Sequence, residues 1–252
     1  MRESNELKDE FLAITAHEFR TPLTIILAHS QMMARLLRRI PNLDLNTASR
    51  LDESISSVET QTRQLTNIVN TFLEVTRLNR GQITLAREII DMEELIAESV
   101  NNHRTTSTLH AISYTIESAK RAYIVNGDKA RLLQIFANLL QNAIKYSPPE
   151  GVITVTLKQM SNGEGQSMVE VSIQDQGIGI PKDAQSRLFE RFYRAPNIAG
   201  GQTRGVGLGL YIVAEFLRMH SGTIRVESRG IPGEGSRFIF TLPLLQDEEM
   251  RS

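Results

Sequence analysis

Apolar and polar positions in residues 1–80 repeat at helical spacing. Leu7, Phe11, Ile14, Glu18, Thr21, Ile25, Ala28 and Met32 recur at alternating intervals of four and three. A neighbouring stripe adds Leu12, Thr15, Phe19, Pro22, Ile26, Met33 and Leu36. Together they form a wide, mostly apolar helix face. The segment 40–47 (IPNLDLNT) interrupts the repeat with Pro41, Asn42 and Asp44. A second stripe follows, through Leu51, Ile55, Val58, Thr62, Leu65, Val69, Phe72 and Thr76, widened by Ile68, Val75 and Leu78. The pattern predicts an antiparallel helical hairpin whose arms of ~35 residues are each ~50 Å long. Two helices have too few layers to bury such faces, so a homodimer forming a four-helix bundle is expected.

The pattern then changes. Residues 83–90, 111–118, 122–127, 152–159, 168–175, 223–228 and 236–243 alternate or are β-branched, and predict strands. Residues 92–104, 128–147 and 207–222 predict helices, with Asp128 capping the second and Gly222 ending the third. Short helices with a mostly antiparallel sheet imply an α/β sandwich. The fold class expected for the whole chain is α+β, a helical hairpin followed by that sandwich.

Glycine usage marks the boundary. Residues 1–80 contain none, and residues 81–252 contain all 16. Two domains are therefore expected, 1–80 and 81–252, cut at Arg80-Gly81. Charge adds no contrast: 10 basic and 10 acidic residues precede position 81, and 18 and 19 follow. No basic footprint of a general nucleic-acid binder is present. The absence of Cys excludes disulfides, thiolate metal sites and cysteine nucleophiles. No apolar run approaches ~18 residues, so no membrane segment is expected in this chain, and MRESNELKDEF lacks the apolar stretch of a signal peptide.

Several residues can carry chemistry. His17 lies roughly opposite the centre of the apolar stripe, beside Glu18 and ahead of Arg20 and Thr21. A lone exposed histidine is ordinarily a surface residue. Pro22 changes that picture, because it removes a helical donor and bends the helix just after an imidazole and a carboxylate. His29, His103, His110 and His220 sit in no constellation and read as structural. Asp175-Gln176-Gly177-Ile178-Gly179-Ile180 follows a predicted strand, and Gly205-Val206-Gly207-Leu208-Gly209-Leu210 opens a predicted helix. The second cluster offers backbone N–H groups and a helix N-terminus to an anion. Gly233-Glu234-Gly235 precedes the last strand. No P-loop or early strand–GxGxxG–helix unit accompanies these glycines. Asn138 and Asn142 share a helix face, followed by Lys145 and Tyr146. Two carboxamides could ligate a hard cation through their carbonyl oxygens, and Lys145 could meet phosphate.

This constellation resembles the transmitter core of a sensor histidine kinase. Phe11–Leu23 is similar to the family's phospho-acceptor box and Asn138–Tyr146 to its asparagine box. Asp175–Ile180, Leu188–Arg194 and Gly205–Leu210 are similar to its first glycine, phenylalanine and second glycine boxes. The resemblance implies a dimerisation and histidine-phosphotransfer hairpin ahead of a Bergerat-type ATP-binding domain, with ATP and Mg²⁺ bound. His17 would take the γ-phosphoryl group and Glu18 the other imidazole proton. Asp175 would receive the adenine amino group. Asn138 and Asn142 would hold Mg²⁺, with Lys145 and Tyr146 on phosphate and nucleotide. Gly177, Gly179, Gly205, Gly207 and Gly209 would let backbone approach the ligand. Residues from about Phe192 to Arg204 would form a lid, its mobility suited by Asn197, Gly200 and Gly201. Arg194 would approach the γ-phosphate.

Glu18-Phe19-Arg20-Thr21 is similar to the family's E-x-x-T pattern, and that resemblance implies a phosphatase activity with Thr21 orienting water. The implied partner is a response regulator receiver domain, and the implied location is the cytoplasm. Family members place an input domain ahead of this core, so the chain is expected to be a fragment of a longer protein. Two alternatives are a Bergerat-fold ATPase and a catalytically silent dimeric scaffold. The first activates water with a glutamate where this chain has Asn138, and a carboxamide is no base. Intact His17, Asn142, Asp175 and the 205–209 glycines oppose the second.

Overall fold

The computed structural model describes residues 19, 22–33, 35–36, 45–106, 110–117, 122–163, 165–199 and 206–245. His17, Glu18, Thr21, Gly205 and the end of the expected lid lie outside them. The chain separates into two compact units, residues 1–82 and 83–252.

In the first unit, helix α1 runs over residues 22–33 and α2 over Leu45–Asn79. Helix α2 starts inside the stretch expected to be loop. It is rich in threonine, a modest helix former. The hydroxyls of Thr60, Thr62, Thr66, Thr71 and Thr76 each donate to the carbonyl four residues earlier, so none competes for the ladder's own donors. Val75 is buried, whereas Leu23, Leu27, Ile55, Val69 and Leu73 lie exposed. Each helix therefore keeps apolar surface that its own unit does not cover.

The second unit contains β1 (Glu88–Asp91), α3 (Met92–Thr106), β2 (Ala111–Ile116), β3 (Ile124–Gly127), α4 (Lys129–Tyr146) and β4 (Val152–Ser161). Then come β5 (Ser167–Gln174), α5 (Lys182–Gln185), α6 (Pro196–Ala199), α7 (Gly209–Met219), β6 (Thr223–Glu227) and β7 (Arg237–Pro243). Five strands form one sheet in the order β2-β4-β5-β7-β6. The β2–β4 pair is parallel and the other pairs are antiparallel. Strands β1 and β3 form a separate antiparallel pair.

Alternation decides what each sheet face buries. Ile153, Val155, Leu157, Val169, Val171, Ile173, Phe238, Phe240 and Leu242 are all buried on one face, against α4, α3 and α7. Leu132, Ile135, Phe136, Leu139, Leu140 and Ala143 give α4 a continuous buried stripe. Phe136 meets Phe240 edge to face, with ring centroids 5.5 Å apart. Burying each such side chain stabilises the fold by about 1.5–3 kcal/mol. On the other face the carboxylate of Glu170, 4% exposed, lies 3.2 Å from Lys158 Nζ and 3.0 Å from Arg225 Nη2. Burial pushes Glu170 up, but the Arg225 and Lys158 hydrogen bonds and charges outweigh it and hold its carboxyl below the ordinary value.

Three further expectations need correction. The strand expected over 83–90 forms only from Glu88, because the Ala86 N–H goes to the Asp128 side chain instead of a ladder. Helix α7 starts at Gly209, since Gly207 adopts φ +74°. It ends with Ser221 in the left-handed region at φ +58°, not with Gly222. Gly222 is needed for space, because a Cβ there would lie 2.3 Å from the Thr241 carbonyl oxygen. Among the described residues no helix is long and apolar enough to cross a membrane.

Candidate functional site

The site assembles at the C-terminal half of α4, the loop after β5 and the start of α7. Helix α4 forms where it does because Asp128 caps it, its Oδ1 accepting the Arg131 N–H at 3.2 Å. With the stripe through Phe136 and Leu140 held in the core, Asn138, Asn142, Lys145 and Tyr146 fall outside it. Asn138, Asn142 and Tyr146 are half-buried and Lys145 is exposed.

Asn138 is oriented by its own helix. Its Nδ2 donates to the Gln134 carbonyl at 3.1 Å. Its Oδ1 faces α7, only 3.2 Å from where a Cβ on Gly209 would sit. Gly209 thus opens α7 directly against a carboxamide oxygen, and a larger residue would crowd it. Hard cations prefer such oxygen ligands, so Asn138, with Asn142 one turn on, fits a Mg²⁺ ion. Among the described residues, no group of three or more His, Cys, Asp or Glu side chains gathers at metal-binding spacing.

Asp175 closes the other end. It follows β5 and is 3% exposed. Its Oδ1 accepts the Gly177 N–H at 2.8 Å and the Ser236 N–H at 3.2 Å. Its Oδ2 accepts the Ser236 hydroxyl at 2.7 Å. Burial pushes the carboxyl up from its ordinary value, and these hydrogen bonds pull the other way without cancelling it. An ionised carboxylate offers about four lone-pair sites, so these bonds leave one on Oδ2 for a further donor.

The glycines are where side chains cannot go. A Cβ on Gly177 would lie 2.4 Å from the Tyr146 carbonyl oxygen, so the first glycine loop touches the end of α4. Gly179 takes φ +70° against the Ile231 backbone. Gly207 meets the phenylalanine-box segment: its carbonyl accepts the Phe192 N–H at 3.0 Å. Phe192 itself sits at φ +63°. Arg194 donates to the Ile198 carbonyl at 3.3 Å. Burial raises the Tyr146 hydroxyl pKa, and the Arg194 charge acts against that shift, which places Arg194 within electrostatic reach of Tyr146. Lys145 Nζ lies 5.2 Å from the Tyr146 ring centroid.

Asn138, Asn142, Lys145, Tyr146, Asp175, Gly177, Gly179, Arg194, Gly207 and Gly209 therefore belong to one connected region of the second unit. Three residues not singled out from sequence, Ser236, Ser228 and Gln185, complete it together with Asn197. Ser236 fixes Asp175. Ser228 Oγ accepts the Ile180 N–H at 2.9 Å and donates to the Gly235 carbonyl at 2.7 Å. Gln185 donates to the carbonyls of Ile180 and Ser228. Asn197, expected to favour mobility, instead tethers α6 by donating to the Gly179 carbonyl at 2.9 Å. The Gly233-Glu234-Gly235 turn gave a signal for the first two, since it brings β7 back beside Asp175.

The chain is similar to known proteins. Residues 127–246 match the family described as histidine kinase-, DNA gyrase B-, and HSP90-like ATPase. Residues 7–81 match the His Kinase A (phospho-acceptor) domain. The sensor-like histidine kinase SenX3 of Mycolicibacterium smegmatis is 32% identical over 243 residues, 96% of this chain and 59% of that protein. The solved structure of the mycobacterial sensor histidine kinase MprB is 32% identical with TM-score 0.53, covering 63% of this chain and 98% of its own. Full-length ShkA in complex with AMPPNP is 29% identical with TM-score 0.61, covering 94% of this chain and 46% of its own. The chain thus spans less than two thirds of SenX3 and less than half of ShkA.

Proposed function

The chain belongs to the sensor histidine kinase family, and on that premise we propose that it is a transmitter core that phosphorylates itself from ATP and passes the phosphoryl group on. Residues 1–80 are the dimerisation and phospho-acceptor hairpin, and residues 81–252 the ATP-binding catalytic domain. The observation that carries this reading is the buried Asp175 carboxylate, held by Gly177 and Ser236 with one acceptor site to spare. That site suits the amino group of adenine. The solved structure of full-length ShkA is a complex with the ATP analogue AMPPNP, which supports ATP as substrate here. Exposed Leu23, Leu27, Ile55, Val69 and Leu73 support a homodimer through the first unit.

Each residue then has one task. Asn138 and Asn142 would hold Mg²⁺ by their side-chain oxygens, and the ion would neutralise phosphate charge. Lys145 and Tyr146 contact phosphate and nucleotide, and Gly205, Gly207 and Gly209 let backbone N–H groups approach. A ring nitrogen of His17 attacks the γ-phosphorus while the bond to the bridging oxygen breaks and ADP leaves with that electron pair. Glu18 takes the proton from the other ring nitrogen, and Arg194 offsets charge on the transferring group. The phosphoryl group next moves to an aspartate of a receiver domain, the N–P bond breaking as an O–P bond forms. In the phosphatase activity Thr21 aims a water at the aspartyl phosphate, whose O–P bond to the carboxylate breaks as inorganic phosphate is released. The proposed setting is the cytoplasm.

Labelling with γ-³²P-ATP tests the reading. His17→Gln should lose all label while binding an ATP analogue normally, because the two sites lie in different units. Thr21→Ala should stay within a few-fold in autophosphorylation yet fail to dephosphorylate a phosphorylated receiver domain. Label on the His17→Gln protein overturns the acceptor assignment, and equal loss of both activities in Thr21→Ala makes Thr21 a packing residue.

A further inference from the structure

The first residues of the second unit are bonded to the roots of the helices that carry the nucleotide site. Asp128 divides its carboxylate between two tasks. Oδ1 accepts the Arg131 N–H and caps α4, while Oδ2 accepts the Ala86 N–H at 3.0 Å. The Asp128 N–H donates to His220 Nε2 at 2.9 Å. The His220 Nδ1–H in turn donates to the Phe216 carbonyl at 2.7 Å, at the end of α7. Arg87 completes the clasp: Nη1 donates to the Asn126 carbonyl at 2.9 Å and Nη2 to the Met219 carbonyl at 2.8 Å. Residues 86–87 are thereby bonded to the start of α4, to the strand before it and to the end of α7.

A helix cap needs one side-chain oxygen, and Ser, Thr or Asn supplies it as well as Asp does. The second oxygen of Asp128 is not needed for the cap, and it is the one that holds Ala86. Helix α4 continues from this point as a single rod to Asn138 and Asn142, and α7 starts at Gly209 against Asn138. We propose that Asp128 is a positioning residue for the nucleotide site. Its Oδ2 clasps the entry segment of the second unit onto α4, so docking of that segment and binding of nucleotide favour each other. The inference rests on the ATP-binding reading above. Coupling of this kind is reciprocal: nucleotide must tighten the clasp to the extent that the clasp favours nucleotide.

Amide hydrogen exchange on the full chain, with and without AMPPNP and Mg²⁺, tests this. In the wild type, nucleotide should slow exchange of the Ala86 amide about fivefold. Asp128→Asn has a single acceptor oxygen and can cap α4 or hold Ala86, not both. It should speed Ala86 exchange and abolish the nucleotide effect while the amides of α4 stay protected. Its KM for ATP in autophosphorylation should rise about fivefold at unchanged kcat, whereas partial unfolding would lower apparent kcat and leave KM alone. Binding of AMPPNP to the wild type without slowing of Ala86 exchange overturns the clasp alone, and needs no variant to fold. Failure of the wild type to bind AMPPNP overturns the ATP reading, and the clasp with it.

Discussion

The hydroxyl of Ser236 donates to Asp175 Oδ2 across 2.7 Å, joining residues 61 apart in the chain. The Ser236 backbone N–H holds the other oxygen of the same carboxylate. Together they keep a buried acid in one orientation at the point where a nucleotide base would be read. Ser236→Ala removes the hydroxyl and keeps the backbone bond, so burial pushes the Asp175 carboxyl further up and its rotamer loosens. Affinity for an ATP analogue should fall about tenfold, in line with one lost hydrogen bond to a charged group. Calorimetric titration measures this, and a change below twofold would mean that Ser236 does not support ligand recognition.

Gly177 and Gly163 make a matched pair for substitution. A Cβ on Gly177 would lie 2.4 Å from the Tyr146 carbonyl oxygen and 2.8 Å from Asp175 Oδ1, and neither neighbour can yield without moving the site. Around Gly163 nothing lies within 4 Å. Gly177→Ala should destabilise the fold by about 1–3 kcal/mol and abolish analogue binding. Gly163→Ala should leave both unchanged. Thermal melts and binding titrations of the two variants would expose the reverse order at once.

His220 makes stability depend on pH. Its ring is 3% exposed, and burial holds its pKa below the ordinary 6.5, with the Arg87 charge adding to this and the Phe216 carbonyl and Asp128 opposing it. The folded state therefore prefers the neutral ring, whose Nε2 accepts from Asp128. Above pH 6.5 this contribution is fully present, and it is lost as pH falls through the lowered folded value. Asp175, with its raised pKa, contributes in the opposite sense: its share is present at low pH and lost as pH rises through its folded value. Comparison with His220→Gln isolates the histidine. The melting temperature of the wild type should drop more steeply than that of the variant between about pH 7.5 and about pH 5. Parallel curves would show that His220 does not titrate across the transition.

Much of the candidate site was legible because its signals are local. The stripe from Leu132 to Ala143 follows the helical period, which carries Asn138 and Asn142 onto a shared face by spacing alone. Gly177, Gly179, Gly207 and Gly209 stand beside predicted element ends, where a missing side chain has an immediate backbone reason. The strands of the sandwich likewise follow from alternation within a few residues.

Other features depend on what another part of the chain brings alongside. Ser236 is one serine among many until β7 pairs with β5, Gln174 opposite Arg237, and sets it against Asp175. Asn197 looked like a loop residue and is a tether, because the carbonyl it reaches is 18 residues back. The strand expected from residue 83 is cut short by a side chain 42 residues beyond Ala86. His220 looked structural and is so, but its partner at Asp128 is 92 residues away. Short-range periodicity and backbone sterics are written in neighbouring residues, so the sequence by itself determined the longer helices and most strands, the glycine turns and the asparagine face. Hydrogen-bond partners and the space left for a Cβ depend on chain segments that meet only after folding, so only the tertiary structure decided how Asp175 is held, where α7 ends and what fastens Ala86.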